Sequence, residues 1–114
     1  MSVDRRLHPR VFADLSAEAN VGSDRFSVQL VDLSVSGFQI EGGGQLASLT
    51  PKPGQGGIEL GLQFDLSGLE VNSLCRVVYK RRMSVDKAAL GLKIVAIDDD
   101  ARAAIETYVK GNLG

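Results

Sequence analysis

Ile58-Glu59-Leu60-Gly61-Leu62-Gln63-Phe64-Asp65-Leu66 decides the fold class. Apolar residues alternate strictly with polar or small ones over the whole stretch. On a strand, successive side chains point to opposite faces, so one face here is wholly apolar and the other meets water. A helix would need its apolar positions three and four apart. Ser67-Gly68 follows as a turn, and residues 69–82 then read as a long or bent strand rich in valine.

Working back towards the N-terminus, the period remains two. Val11, Ala13, Leu15, Ala17 and Ala19 alternate with Phe12, Asp14, Ser16, Glu18 and Asn20. Gly22-Ser23-Asp24 marks a turn, and Phe26, Val28 and Leu30 lead a second strand into Asp32. Phe38 and Ile40 begin a third. Residues 45–57 hold Pro51, Pro53, Gly54 and Gly56 and read as a long loop. Working forward, Leu90, Leu92 and Ile94 form the last alternating run. The period then changes: Ala101, Ala104, Ile105, Tyr108 and Val109 recur at helical spacing. Asp98, Asp99 and Asp100 supply an N-cap and the negative charge that a helix start favours, and Gly111 is the expected stop.

Six strands without intervening helices, then one helix, predict an all-β fold, β-rich with one C-terminal α-helix. The expected architecture is a small antiparallel barrel or a tightly rolled sheet, with the helix closing one opening. The length of 114 residues suits one domain over 1–114. Its parts are an arm at 1–10, a barrel at 11–97 and a helix at 98–112. The helix face is expected to close onto its own barrel.

Composition narrows the function classes. Thirteen basic residues meet 14 acidic ones, so the charge excess of a general nucleic-acid binder is missing. Basic residues are instead local: Arg5, Arg6 and Arg10, then Lys80, Arg81 and Arg82. No apolar run approaches the roughly 20 residues of a membrane span, and no signal-peptide core is evident. The single cysteine, Cys75, sits among Leu74, Val77 and Val78 and reads as a buried thiol. These features predict a cytoplasmic protein.

Two short motifs carry the chemistry. Arg6-Leu7-His8-Pro9-Arg10 is an Arg-x-x-x-Arg. Pro9 biases His8 towards extended geometry, so the segment is predicted to be a movable arm rather than a helix. Arginine pairs bidentately with phosphate, presents two donors to guanine O6 and N7, and stacks on purines. Asp32-Leu33-Ser34-Val35-Ser36-Gly37 is an Asp-x-Ser-x-x-Gly. Strand alternation puts Asp32 and Ser34 on one face. A carboxylate accepts from the N1–H and N2–H of guanine, and Gly37 suits a sharp turn or a close approach to a ligand. Taken singly, one motif is a solvated basic arm and the other an ordinary hairpin turn.

Catalytic and metal sets are lacking. His8 is the only histidine, no Gly-x-Ser-x-Gly elbow exists, and Gly42-Gly43-Gly44 is not followed by the Gly-Lys-Ser/Thr of a P-loop. One histidine and one cysteine make no metal centre. The chain reads as a non-enzyme, with no cofactor and no metal.

The ordered pair of motifs, the alternating strands, Leu90-Gly91-Leu92-x-Ile94 and the C-terminal helix together resemble the PilZ domain, a bacterial receptor module for cyclic di-GMP. The resemblance spans essentially the whole chain and implies a six-stranded antiparallel split β-barrel. An aromatic residue common in that family near Ile94 is missing here, a departure that concerns packing. The resemblance implies that Arg6 and Arg10 contact guanine and phosphate, that Asp32 and Ser34 hold the other guanine, and that Gly37 shapes the turn. Arg5 precedes the first motif arginine, and a basic residue there implies an intercalated ligand dimer. Cyclic di-GMP is the expected ligand. The expected downstream partner is a protein of the motility, exopolysaccharide or regulatory machinery, without nucleic acid or membrane insertion. The alternative readings are a nucleotide-independent PilZ-like interaction module and, less favoured, a small single-strand nucleic-acid binder.

Overall fold

The computed structural model describes residues 9–49 and 57–113. Six strands and one helix follow in order: β1 (Val11–Val21), β2 (Asp24–Leu33), β3 (Gly37–Gly43), β4 (Glu59–Leu66), β5 (Leu69–Arg82), β6 (Lys87–Ile97) and α1 (Asp99–Asn112). All neighbouring strands are antiparallel. The ring order is β1-β2-β3-β6-β5-β4, and β1 pairs with β4, so the six strands close into the expected barrel. It consists of two three-stranded meanders joined along two seams, β3 to β6 and β1 to β4.

Two of the hairpins have a plain local cause. Gly22 takes φ +60° between the paired Val21 and Asp24. Ser67 and Gly68 both take positive φ between the paired Leu66 and Leu69. Two positive-φ residues give a turn whose twist matches that of the strands it joins. Asp65 steadies it by accepting from the Gly68 amide at 3.0 Å.

The inward residues form one aliphatic core, with Leu30, Ile40, Leu60, Leu62, Leu90 and Leu92 almost fully buried. Phe38 and Phe64 meet edge to face at 5.3 Å. Leu46, beyond β3, is also buried in this core, although the sequence reads simply as loop there. Part of that loop, residues 50–56, lies outside the described residues.

α1 buries Ala101, Ile105 and Val109 in the barrel's own core, as the helical spacing predicts. Asp98 caps it by accepting from the Ala101 amide at 2.8 Å. Gly111 does not stop the helix. It lies inside α1, and Leu113 is the C-cap, in ordinary right-handed geometry. A glycine ends a helix when the chain needs left-handed backbone, and this terminus does not use it.

Candidate functional site

Arg10 of the first motif and Asp32 of the second meet on the outer face of the barrel, around the end of β2. Strict alternation from Val28 and Leu30 would aim Asp32 into the core. Instead the β2–β3 register shifts between Leu30 and Asp32, with Val31 as the extra residue. The bulge restores Leu33 to the interior and turns Asp32 outward. Asp32 is then flanked by its register partners, the exposed Phe12 on β1 and Gln39 on β3. Re-aiming one side chain is what an inserted residue does to a strand.

Arg10 approaches Asp32 from the segment before β1. Its Nη1 donates to Asp32 Oδ1 at 3.3 Å, and the two side chains are 29% and 23% exposed. Both groups therefore remain within reach of solvent and of a ligand. Arg5, Arg6 and His8 lie outside the described residues, as does the arm at 1–10 apart from Pro9 and Arg10.

Ser34 and Gly37 occupy different surroundings from Asp32. β2 ends at Leu33, so Ser34 belongs to the turn and does not share a strand face with Asp32. Its side chain is buried. Ser34 Oγ accepts from the amides of Ser36 and Gly37, each at 3.2 Å, and lies 3.3 Å from the Gly37 carbonyl. The Ser34 amide donates to that same carbonyl at 2.9 Å. A hydroxyl folded back onto nearby amides makes a self-contained turn.

Gly37 has ordinary negative-φ backbone, so its need for glycine is one of space. A Cβ there would lie 2.2 Å from the Leu92 carbonyl oxygen. Gly37 thus permits the close approach of β3 to β6, where it pairs with Lys93. The turn is also fastened from outside: the Ile94 amide donates to the Ser36 carbonyl at 2.9 Å, and Arg102 of α1 donates to the Val35 carbonyl at 3.4 Å. Arg102 carries no motif signature. Its position in the first turns of an N-capped helix is its only trace in the sequence.

On β5, Lys80 donates to the carbonyls of Ala47 and Leu49 at 2.5 and 2.9 Å, which ties down the chain beyond β3. Arg81 and Arg82 are exposed and make no ion pair among the described residues. Cys75 is fully buried, and burial pushes its thiol above the ordinary 9.0, against a smaller opposing effect of its bond with Ser73. Among the described residues no group of three or more histidine, cysteine or acidic side chains is placed to hold a metal. No helix among them is long and apolar enough to cross a membrane.

The family model described as PilZ domain matches residues 4–111. No curated protein sequence matches the chain. Several solved structures share its fold. The Bacillus subtilis inhibitor of motility MotI/DgrA superposes with a TM-score of 0.78 at 17% identity, over 96% of this chain and 51% of that one. The chain therefore spans about half the length of that protein. The PilZ domain of YcgR from Escherichia coli, solved with c-di-GMP, gives 0.68 at 12% identity over 96% and 92%. The PilZ domain of CeSA from a cellulose-synthesizing bacterium gives 0.61 at 17% over 90% and 96%.

Proposed function

The chain belongs to the PilZ domain family, and we propose that it is a receptor for cyclic di-GMP. The observation that carries this reading is the meeting of Arg10 with Asp32 on the outer face of the barrel, 3.3 Å apart. It brings together the two kinds of group that a guanine dinucleotide needs. Arg10, with Arg6 and Arg5, supplies forked cationic donors for phosphate oxygens and for guanine O6 and N7. Asp32 supplies an acceptor for guanine N1–H and N2–H. Ser34 and Gly37 act beneath the ligand, by holding the turn that follows Asp32.

Without nucleotide, Arg10 and Asp32 satisfy each other. A ligand that offers phosphate to one and a guanine edge to the other replaces that pair without leaving either charge unpartnered. The arm then closes over the nucleotide, and its ordering changes the surface offered to a partner protein. Arg5 adds a third cation, which favours two stacked nucleotides per domain over one. YcgR, whose PilZ domain was solved with c-di-GMP, and the motility inhibitor MotI/DgrA are examples of the fold in such settings. We assign no catalytic step to the chain, and its role is to bind and to relay.

Isothermal titration with cyclic di-GMP, beside cyclic di-AMP and GTP, tests the reading. Selective binding of cyclic di-GMP that Arg10→Ala removes supports it, and the stoichiometry decides between one nucleotide and two. Wild-type protein that gives no heat with cyclic di-GMP would instead indicate a nucleotide-independent interaction module.

A further inference from the structure

We propose that the chain associates head to tail with copies of itself, the β5–β6 hairpin tip of one copy entering an acid-rimmed recess at the far end of β5 in the next.

The tip combines charge with bare apolar surface. Residues 81–87 are all exposed, and Val85 among them is 90% exposed. The turn is nonetheless ordered. The Met83 and Ser84 amides both donate to the Lys87 carbonyl, at 2.8 and 3.1 Å, and Ser84 Oγ donates to Asp86 Oδ1 at 3.2 Å. Residues 80–87 set Lys80, Arg81, Arg82 and Lys87 against one carboxylate, Asp86, for a local charge of +3. The rest of the chain carries −4. Methionine and arginine are enriched where proteins meet, and a turn already held by hydrogen bonds gives up little freedom on docking.

The recess opens where the β1–β4 seam ends. Pairing runs from Asn20 and Gly61 to Ala17 and Phe64 and stops there. The space beyond is about 390 Å³, enough for the Val85 side chain and part of the turn that carries it. The buried Ala17 and Phe64 form its floor, and Glu18, Asp65 and Glu70 stand at its rim. Glu18 is balanced by Arg25 at 3.1 Å. Asp65 accepts from the Gly68 amide at 3.0 Å, and Glu70 from the side chains of Gln63 and Asn72 at 2.6 and 3.3 Å. Those donors are neutral, so among the described residues neither charge is offset by an ion pair.

Either feature alone is ordinary, since charged hairpins also guard against unwanted strand pairing. Their match assigns one to the other: cations around an apolar tip, carboxylates around an apolar floor. β5 joins them, starting at Leu69 beside the recess and ending at Arg82 beside the tip. Its 14 residues, at about 3.3 Å each, set the two roughly 40 Å apart, so a tip meets the recess of another copy and not its own. A membrane or nucleic acid would also face the −4 of the remaining chain, which repels it, whereas a recess meets the tip alone. The net charge of −1 leaves little repulsion between whole copies. A contact this small belongs to the weak class, below about 1,200 Å².

Sedimentation velocity on the full chain, from micromolar to millimolar at low salt, tests this. The mass should climb past twice the 12.1 kDa of one chain, because each added copy leaves a tip and a recess free. Salt at about 1 M, where charges act only within about 3 Å, should return it to the monomer. Val85→Glu aims a carboxylate at the acidic rim. Asp65→Asn with Glu70→Gln neutralises the rim and keeps an acceptor for the Gly68 amide. All three positions are exposed, so both proteins should melt as wild type does, and each should stay monomeric. Mixed in equal amounts they should form a dimer and nothing larger, since one competent tip and one competent recess remain. Wild type that stays monomeric throughout, or that stops at a dimer, overturns the proposal, as does assembly that survives in either variant. No nucleotide enters these measurements, so their outcome is independent of the cyclic di-GMP reading.

Discussion

Arg10 Nη1 lies 3.3 Å from Asp32 Oδ1, joining residues 22 apart in the chain. The pair ties the segment before β1 to the bulged end of β2. It is partly solvated, so its contribution to folding is that of a surface ion pair, below about 1 kcal/mol. Under the proposed function its importance lies in binding, where each member would form half of a ligand contact.

Arg10→Ala and Asp32→Asn are therefore expected to separate stability from binding. Melting temperatures should stay within a few degrees of wild type, since roughly 1 kcal/mol moves a domain of this size by about 4–8 °C. Binding of cyclic di-GMP should fall by about 2–5 kcal/mol, the scale for removing one member of a hydrogen-bonded charge pair. Calorimetry and thermal melts on the same samples check this. A variant that loses stability and binding in proportion would contradict it.

Ser34 and Gly37 should behave in the opposite way. Ser34→Ala leaves the Gly37 amide without its side-chain acceptor in a buried turn, at a cost of about 1–3 kcal/mol. Gly37→Ala drives a Cβ to 2.2 Å from the Leu92 carbonyl and prises β3 from β6, costing about 3 kcal/mol or more. Urea unfolding reads both losses directly. Weakened nucleotide binding in these variants should be recovered in part by conditions that restore the fold.

The helix clamp yields a third expectation. Arg102→Ala removes the bond from α1 to the Val35 carbonyl, which is exposed and weak, and should cost about 0.5 kcal/mol. Asp98→Ala removes the N-cap and should cost about 1 kcal/mol. Ile105→Ala empties a fully buried position in the core and should cost about 2–5 kcal/mol. Denaturant midpoints in that order would establish that burial, more than capping or clamping, attaches the helix.

The strands and the helix were legible because each buries one face, and burial of one face imposes its period on the sequence. Residues 58–66 and the Ala101, Ile105, Val109 spacing carried that signal cleanly. The site was legible only as a set of residue types. Alternation places Asp32 beside Ser34, whereas the bulge at Val31 sends Asp32 outward and the end of β2 leaves Ser34 to the turn. The bulge leaves only a small mark in the patterning, the adjacent apolar pair Leu30-Val31 before Asp32 and Leu33, and a single slip of phase next to a turn does not distinguish a bulge from the end of a strand. Gly37 and Gly91 were likewise visible as glycines but not as points of close approach, because what they approach lies on another strand. Leu46 shows the same limit from the core side: one leucine within a glycine- and proline-rich loop has no periodicity to report its burial.

Cys75 gives a prediction with a definite sign. Its folded thiol titrates above 9.0 because burial disfavours the thiolate, while in the unfolded chain it returns to the ordinary value. Well below pH 9.0 both states keep the proton and the group has no effect on stability. As pH rises through 9.0, the unfolded chain loses the proton first, so it binds fewer protons than the folded state and folding stability declines. The decline continues until the folded thiol also titrates, with a slope of at most about 1.4 kcal/mol per pH unit from this residue. Cys75→Ala should remove that part of the alkaline slope at a neutral-pH cost of about 1 kcal/mol for the small cavity. Lysines and tyrosines titrate in the same range, so the quantity to measure is the difference between wild type and variant in urea midpoints from pH 7 to about 10.5. At neutral pH the thiol should react with a disulfide reagent only as the barrel opens, so that labelling accelerates with urea. Rapid labelling of the native protein, or identical alkaline slopes in the two proteins, would show that Cys75 is not the buried thiol its surroundings describe.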